Sequence, residues 1–317
     1  AGIESTVAPA DWVQGCGRMN MILGSSKHSI DILKASTFEK RDERTQQVIE
    51  RIQFNPETKT DVLFEGFDEN TYKKTDEILE LPEIKESFCF LFVGHWMDGD
   101  FGQNRKNVGV LVKSFLETFK NKTGATPALI LKTTGGNSSY MDKYKILSRL
   151  KEIKSQVKGK LPKVYLVHGD LTNTEMNELY NHPKVKTMVC LTRGEGFGRP
   201  LLEFCTTGKP IIASGWSGHL DFLNTGFTTL LKGHLENVHP SSVNNWLIAE
   251  SKWFQVDPKD LKSSLKGMFK KYKEYSIKGK KQKQYVKTNF SWDKMHTLIH
   301  SILDNKNKVP EMAQQVE

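Results

Sequence analysis

From residue 88 onward, short apolar runs alternate with stretches of helical period. Phe88 to Val93 is an unbroken apolar run of strand length, and Val108, Leu111, Val112, Phe115 and Phe119 then fall on one face of a helix. Ala128 to Leu131 predicts the next strand. Tyr140, Tyr144, Leu147, Leu150 and Ile153 predict the inward face of a second helix. Strand Val164 to Val167 and a short helix from about Thr174 to Tyr180 follow. Strand Val185 to Leu191 then runs into a glycine-rich loop, a helix from Pro200 to Thr207 and a strand from Pro210 to Ala213. Strands apolar on both faces and separated by helices imply an α/β fold with a doubly wound parallel sheet, a Rossmann-like domain.

The first 75 residues read differently. Met21 to Leu23 is a short apolar run ending in Ser25 and Ser26, and a helix is predicted from His28 to Leu33. Asp61 to Phe64 predicts a strand leading into Glu65-Gly66-Phe67-Asp68. A second doubly wound domain needs about 100 residues or more, so these elements form only a partial second domain. The charged stretch Glu39 to Arg51 reads as an exposed connector or helix, and a domain boundary falls near residues 70 to 87.

Composition narrows the classes. At 317 residues with 37% apolar and 26% charged content, the chain can bury a core, and disorder is not the default. No apolar run approaches the ~18 residues of a membrane helix, and no basic-then-apolar signal opens the sequence. The four cysteines (Cys16, Cys89, Cys190, Cys205) form no CxxC pair. They are expected as buried free thiols rather than zinc ligands or disulfides, which suits a reducing cytoplasm. The histidines include no HExxH, so no metal is implied.

Charge is unevenly placed. Residues 259 to 287 hold eleven lysines against Asp260 and Glu274, an excess equal to the net +9 of the whole chain. Leu261, Leu265, Met268, Phe269 and Tyr272 recur there at helical spacing, which makes the lysines the outer face of an amphipathic helix. That face is either solvated or drawn to an anionic surface: an acidic acceptor, a membrane or a nucleic acid.

The loop with chemistry reads Thr192-Arg193-Gly194-Glu195-Gly196-Phe197-Gly198-Arg199-Pro200-Leu201-Leu202-Glu203. It follows a predicted strand, at the carboxyl edge where doubly wound sheets bind ligands. Its glycines let the backbone approach a ligand and aim amides at phosphate, while Pro200 suits the first residue of a helix. Glu195 and Glu203 offer two acceptors to a hydroxyl-rich ligand. Gly135-Gly136-Asn137 reads as a turn at the same edge. The glycine spacing fits neither a dinucleotide fingerprint nor a Walker loop.

The run from Gly194 to Glu203, in its strand–loop–helix setting, resembles the signature of retaining glycosyltransferases of the GT-B fold, especially glycosyltransferase family 4. The resemblance implies that Glu195 contacts the donor sugar. The loop amides of Gly196, Phe197 and Gly198 would meet sugar and phosphate, and Glu203 would hold the ribose hydroxyls. A second match is Phe92-Val93-Gly94-His95-Trp96 with Arg105-Lys106-Asn107, where the family usually has Gly-Arg and then Arg-Lys-Gly. Lys106 matches the lysine that neutralises the departing diphosphate. His95 departs from the arginine, so Arg105, Arg199 or His95 itself would supply the other donor.

Phe64 to Asp68 resembles the segment that enters the donor domain, and Pro9 to Ser26 the last strand and helix of the acceptor domain. Val167-His168-Gly169 resembles the turn that meets the base. Phe290-Ser291-Trp292 resembles the start of the helix that crosses back. The implied organisation is residues 1–75 as a remnant of the acceptor domain with its connector, 76–289 as the nucleotide-sugar-binding domain, and 290–317 as a crossing helix and tail. The sequence opens on Ala1 rather than Met, and it reads as a fragment whose acceptor domain would lie mostly upstream. The expected activity is retaining transfer of a sugar from a nucleoside-diphosphate sugar, a co-substrate, to an acceptor hydroxyl of a glycan, lipid-linked glycan, protein or modified DNA. The alternatives are a catalytically silent nucleotide-sugar-binding module and a basic interaction domain on the same scaffold.

Overall fold

A computed structural model describes residues 2–307. The chain begins with α1 (Ala10–Cys16), β1 (Met21–Gly24) and α2 (Lys27–Ala35), followed by β2 (Thr37–Arg41), β3 (Val48–Gln53) and β4 (Lys59–Val62). Strands β1 and β4 pair in parallel, and β2 and β3 form an antiparallel hairpin. The charged stretch Glu39 to Arg51 therefore lies in a hairpin, not a connector or helix. Its strands are almost wholly exposed, so they lack the period-two apolar signal that marks a half-buried strand.

The larger unit contains β5 (Cys89–Val93), α3 (Val108–Phe119), β6 (Ala128–Lys132), α4 (Tyr140–Ser155), β7 (Val164–Val167), α5 (Asn173–Asn181), β8 (Val185–Cys190), α6 (Arg199–Cys205), β9 (Ile211–Ser214) and β10 (Thr229–Leu231). Its six strands are all parallel, in the order β10-β9-β8-β5-β6-β7. Along β5, Phe90 and Phe92 join the core on one face while Cys89 and Leu91 join the core on the other. Each fully buried residue of this size contributes about 1.5–3 kcal/mol of transfer free energy, so the two-sided burial fixes both layers. Chain order reverses between β5 and β8, which makes their carboxyl ends the switch point where ligands bind in such sheets.

After β10 the chain forms a hairpin of β11 (Gly233–Asn237) and β12 (Lys252–Val256), then α7 (Pro258–Lys270), α8 (Tyr272–Asn289) and α9 (Trp292–Asn307). The lysine-rich segment is thus two helices rather than one. Lys271 leaves the helical conformation, and the break lets the chain pass around the sheet. Leu261, Leu265 and Met268 of α7 pack on one face, and Val286 of α8 on the other. At the start of α9, Phe67 exchanges backbone bonds with Phe290 and Trp292, each 3.1 Å long. The tail expected at the end of residues 290–317 lies, from residue 308, outside the described residues.

One helix presents a different face from the sequence expectation. In α4 the buried positions are Asp142, Ile146, Leu150 and Ile153, while Tyr140, Tyr144 and Leu147 point outward. Asp142 turns the helix. Its carboxylate accepts from the Gly135 amide at 2.8 and 3.0 Å, and it meets His168 Nε2 at 2.8 Å. Three of the four cysteines are buried and all are free thiols. Among the described residues, no helix is long and apolar enough to cross a membrane.

Candidate active site

Gly94 follows β5 with φ +150°, and the stem of Lys106 runs 3.5 Å from where a side chain on Gly94 would begin. Lys106 precedes Asn107, the N-cap of α3, whose φ of +54° belongs to the left-handed region that Gly favours and Asn tolerates. From the neighbouring strand β8, the glycine loop brings Glu195 to the same point. Lys106 Nζ is ion-paired with Glu195, although 89 positions separate them. Arg105 Nη1 reaches the other carboxylate oxygen at 3.3 Å.

Glu195 is held from every side. Its amide donates to Ser217 Oγ at 2.9 Å, and its carbonyl accepts from Gly218 N at 3.0 Å. Burial by itself would raise this carboxyl, but Lys106 and Arg105 outweigh burial and hold it at about 2. Glu195 is therefore a permanent anion.

A second carboxylate reaches the same cations. Glu4 Oε2 lies 2.8 Å from Arg105 Nε, giving a chain of charges Glu4–Arg105–Glu195–Lys106. The strap of residues 2–6 crosses the glycine loop to put it there. A Cβ on Gly196 would meet Gly2 Cα at 2.4 Å, and one on Gly194 would meet Glu4 O at 1.8 Å. Only glycine permits such backbone contact at these two positions. Ser25 and Ser29 of the small unit also donate to the Gly196 carbonyl, at 3.2 and 3.4 Å.

The remaining loop residues divide by role. Phe197 buries its ring against Phe222 at a centroid distance of 5.0 Å, so its side chain belongs to the core. Gly198 caps α6 at φ +97°. Pro200 takes the second position of that helix rather than the first, where its missing N–H is equally without consequence. The amides of Gly196, Phe197 and Gly198 are donors without a partner among the described residues.

Glu203 is buried one turn into α6, away from Lys106. Tyr180 Oη donates to its carboxylate at 3.3 Å and Arg199 Nε approaches to 3.2 Å. Burial pushes this carboxyl up to about 7 against the opposing pull of Arg199. It lines an open pocket of about 350 Å³ with Tyr72, Asn173, Asp68 and Trp292. Arg199 thus belongs to this pocket and not to the Lys106 cluster. His95 Nδ1 bonds Thr134 Oγ1 at 3.0 Å, at the edge of β6. The structure brings together Lys106, Arg105 and Glu195, pairs Arg199 with Glu203 in a separate pocket, and bonds His95 to Thr134 instead.

Two residues at the site were assigned no role from sequence. Glu4 lies outside any motif and 101 positions from Arg105. Arg193 is buried, with its guanidinium bonded to the Gly102 carbonyl and to Glu236 Oε1 at 2.5 Å, and stacked over Trp253 at 4.7 Å. Its amide also donates to the Arg105 carbonyl at 2.8 Å. It bolts the long 94–107 loop and the β11–β12 hairpin to the glycine loop. Among the described residues, no group of three or more His, Cys, Asp or Glu is placed to hold a metal.

No protein-family model matches this chain, and no curated protein sequence does. Solved structures match its fold. The chain is similar to Anabaena Alr3699/HepE, solved with UDP and glucose, at 13% identity and a TM-score of 0.61, over 93% of this chain and 66% of that one. It is similar to a glycosyltransferase from Rickettsia africae at 14% identity and 0.60, over 95% and 68%. It is also similar to sucrose-phosphate synthase of Thermosynechococcus elongatus at 15% identity and 0.59, over 92% and 59%. The chain spans just under two thirds of the HepE length. At these identities the likeness is one of architecture: a Rossmann-like α/β fold of the GT-B glycosyltransferase kind.

Proposed function

We propose that this chain is the donor-binding part of a retaining glycosyltransferase, which moves a sugar from a nucleoside diphosphate to an acceptor hydroxyl. The observation that carries the reading is the meeting of Lys106 and Glu195 at the switch point between β5 and β8. Cation, anion and a row of unpaired amides stand where doubly wound sheets receive ligands.

Chemistry follows from the charges. Breaking the bond between the anomeric carbon and the diphosphate leaves negative charge on the departing oxygen. Lys106, Arg105 and the amides of Gly196 to Gly198 are donors fixed before reaction, the arrangement that stabilises developing charge most. Glu195 accepts hydroxyls of the donor sugar, and Glu203 those of the ribose in the 350 Å³ pocket. Attack on the donor's own leaving-group face forms the new glycosidic bond, and the acceptor proton passes to the departing phosphate oxygen. A double displacement needs a carboxylate on the opposite face of the sugar. Glu195, locked between two cations, is poorly suited to that role.

The competing reading is a silent module that binds nucleotide sugar without turning it over. Calorimetric titration with UDP, GDP and ADP, followed by donor hydrolysis, separates the two. Binding of one nucleotide that Lys106→Ala weakens, together with hydrolysis or transfer that Glu195→Ala abolishes, supports a transferase. Binding without any turnover when paired with an acceptor-domain partner supports the silent module, and absence of nucleotide binding at millimolar ligand defeats both.

A further inference from the structure

The outward face of α4 has no role in the site or the core. Tyr140, Met141, Tyr144 and Leu147 are 80%, 72%, 64% and 45% exposed, and Met97 of the neighbouring loop is 48% exposed. At 3.6 residues per turn, Tyr140, Tyr144, Leu147 and Lys151 share one stripe. Lys143 and Lys154 flank it, and none of these three lysines makes an ion pair among the described residues. An apolar stripe bordered by long cations is the pattern of a helix lying in a lipid interface. Tyrosine suits the headgroup level, and lysine stems extend past buried apolar groups to reach phosphate.

The neighbouring layer has the same sign. Helix α3 packs between α4 and α7, and the outward Lys259, Lys266 and Lys270 of α7 are likewise unpaired among the described residues. Nucleic acid would engage these lysines but leave Met141 and Leu147 in water. An anionic lipid surface satisfies both classes of side chain.

We propose that the outer face of α4, continued by α7, rests on an anionic lipid surface, with Tyr140, Met141, Tyr144 and Leu147 entering the headgroup boundary. The sequence left residues 259–287 as either a solvated face or an anionic contact; the structure adds an apolar element on a different helix. Helix α4 begins just past β6, at the sheet edge that carries Glu195. Docking therefore holds that edge beside the lipid, and on the transfer reading above the acceptor hydroxyl belongs to a lipid-borne molecule.

The test is co-sedimentation with vesicles of phosphatidylcholine alone and with added phosphatidylglycerol, in the absence of nucleotide. The chain should partition at least about tenfold more strongly to the anionic vesicles, since each surface lysine adds roughly a factor of five. Tyr140→Ser/Tyr144→Ser/Leu147→Ser should lower that partition by at least about tenfold with the thermal midpoint unchanged, because the lost groups are exposed. Lys143→Glu/Lys151→Glu/Lys154→Glu should remove the preference for anionic lipid. Equal or absent sedimentation with both vesicles overturns the proposal, as does binding that the serine variant leaves intact. A shift of duplex DNA without vesicle binding overturns it in favour of nucleic acid. Nucleotide titration needs no lipid and vesicle binding needs no nucleotide, so failure of either reading leaves the other standing.

Discussion

At one end of the loop–helix unit, Glu195 sits between Lys106 and Arg105, ionised down to about pH 2, with both its backbone groups bonded. Eight positions on, Glu203 is equally buried but faces two tyrosines and one largely exposed arginine, and its carboxyl titrates near 7. Burial raises both groups; only the neighbours differ. A close lysine fixes a carboxylate as an anion, while hydroxyl partners leave it poised to gain or lose a proton. The Glu195 end is rigid in charge, and the Glu203 end is adjustable.

Removing Lys106 breaks this contrast most severely. Lys106→Ala strands Glu195 with one cation, and breaking a buried pair costs about 3–5 kcal/mol. Urea unfolding should show a markedly lower midpoint, partly restored by adding Glu195→Gln. An unchanged midpoint would mean that Lys106 does not hold the anion. Glu195→Gln alone acts next in size. Donor turnover should fall by about 100-fold as a fixed electrostatic group is lost. Binding of the nucleoside diphosphate should tighten, because Lys106 and Arg105 no longer share their charge with a carboxylate. Weaker binding in calorimetry would contradict that competition.

Glu203 sharpens the comparison through pH. Its folded value is raised above the ordinary 4.5 to about 7, so the stability linked to it is full below about pH 4.5 and is lost as pH rises through about 7. On the proposed function ligand binding would run the other way, because the anion would accept both ribose hydroxyls. Affinity for the matching nucleoside, which carries no phosphate to titrate, should rise up to about tenfold from pH 6 to pH 8. Glu203→Gln should flatten the profile, and an equally steep variant profile would assign the effect elsewhere. The smallest effect belongs to Glu4, which is half-buried and shares Arg105 with Glu195. Glu4→Gln should strengthen diphosphate binding by no more than about fivefold, within the ~1 kcal/mol of a partly exposed pair. A loss of affinity would show that Glu4 positions Arg105 rather than competing for it.

The sheet was legible because β5, β6, β8 and β9 are apolar on both faces, a pattern only strands covered by two layers need. The glycine loop was legible because its residue types are dictated locally, by backbone approach and helix capping. Other features depend on contacts that no local pattern carries. Tyr140, Tyr144 and Leu147 have helical spacing, but the polar Asp142 decides which face turns inward through Gly135 and His168. The hairpin of residues 37–53 is charged on both sides, and the lysine-rich run hides a break at Lys271. Arg105, not Arg199, joins Glu195, and this follows from the path of the 94–107 loop rather than from either residue's neighbours in sequence.

Arg193 bears on the order in which the molecule folds. Its side chain joins the Gly102 carbonyl, 91 positions before it, to Glu236, 43 positions after it. Each closure costs chain entropy before the contact repays it, so the guanidinium is expected to settle after the parallel sheet has formed. Amide hydrogens from Thr192 to Glu195 should then exchange through a local opening below the global unfolding free energy. Bound nucleotide would close that opening. The loop that carries Glu195 would then be among the last regions to become native, and a bound ligand would add to the contacts that hold it.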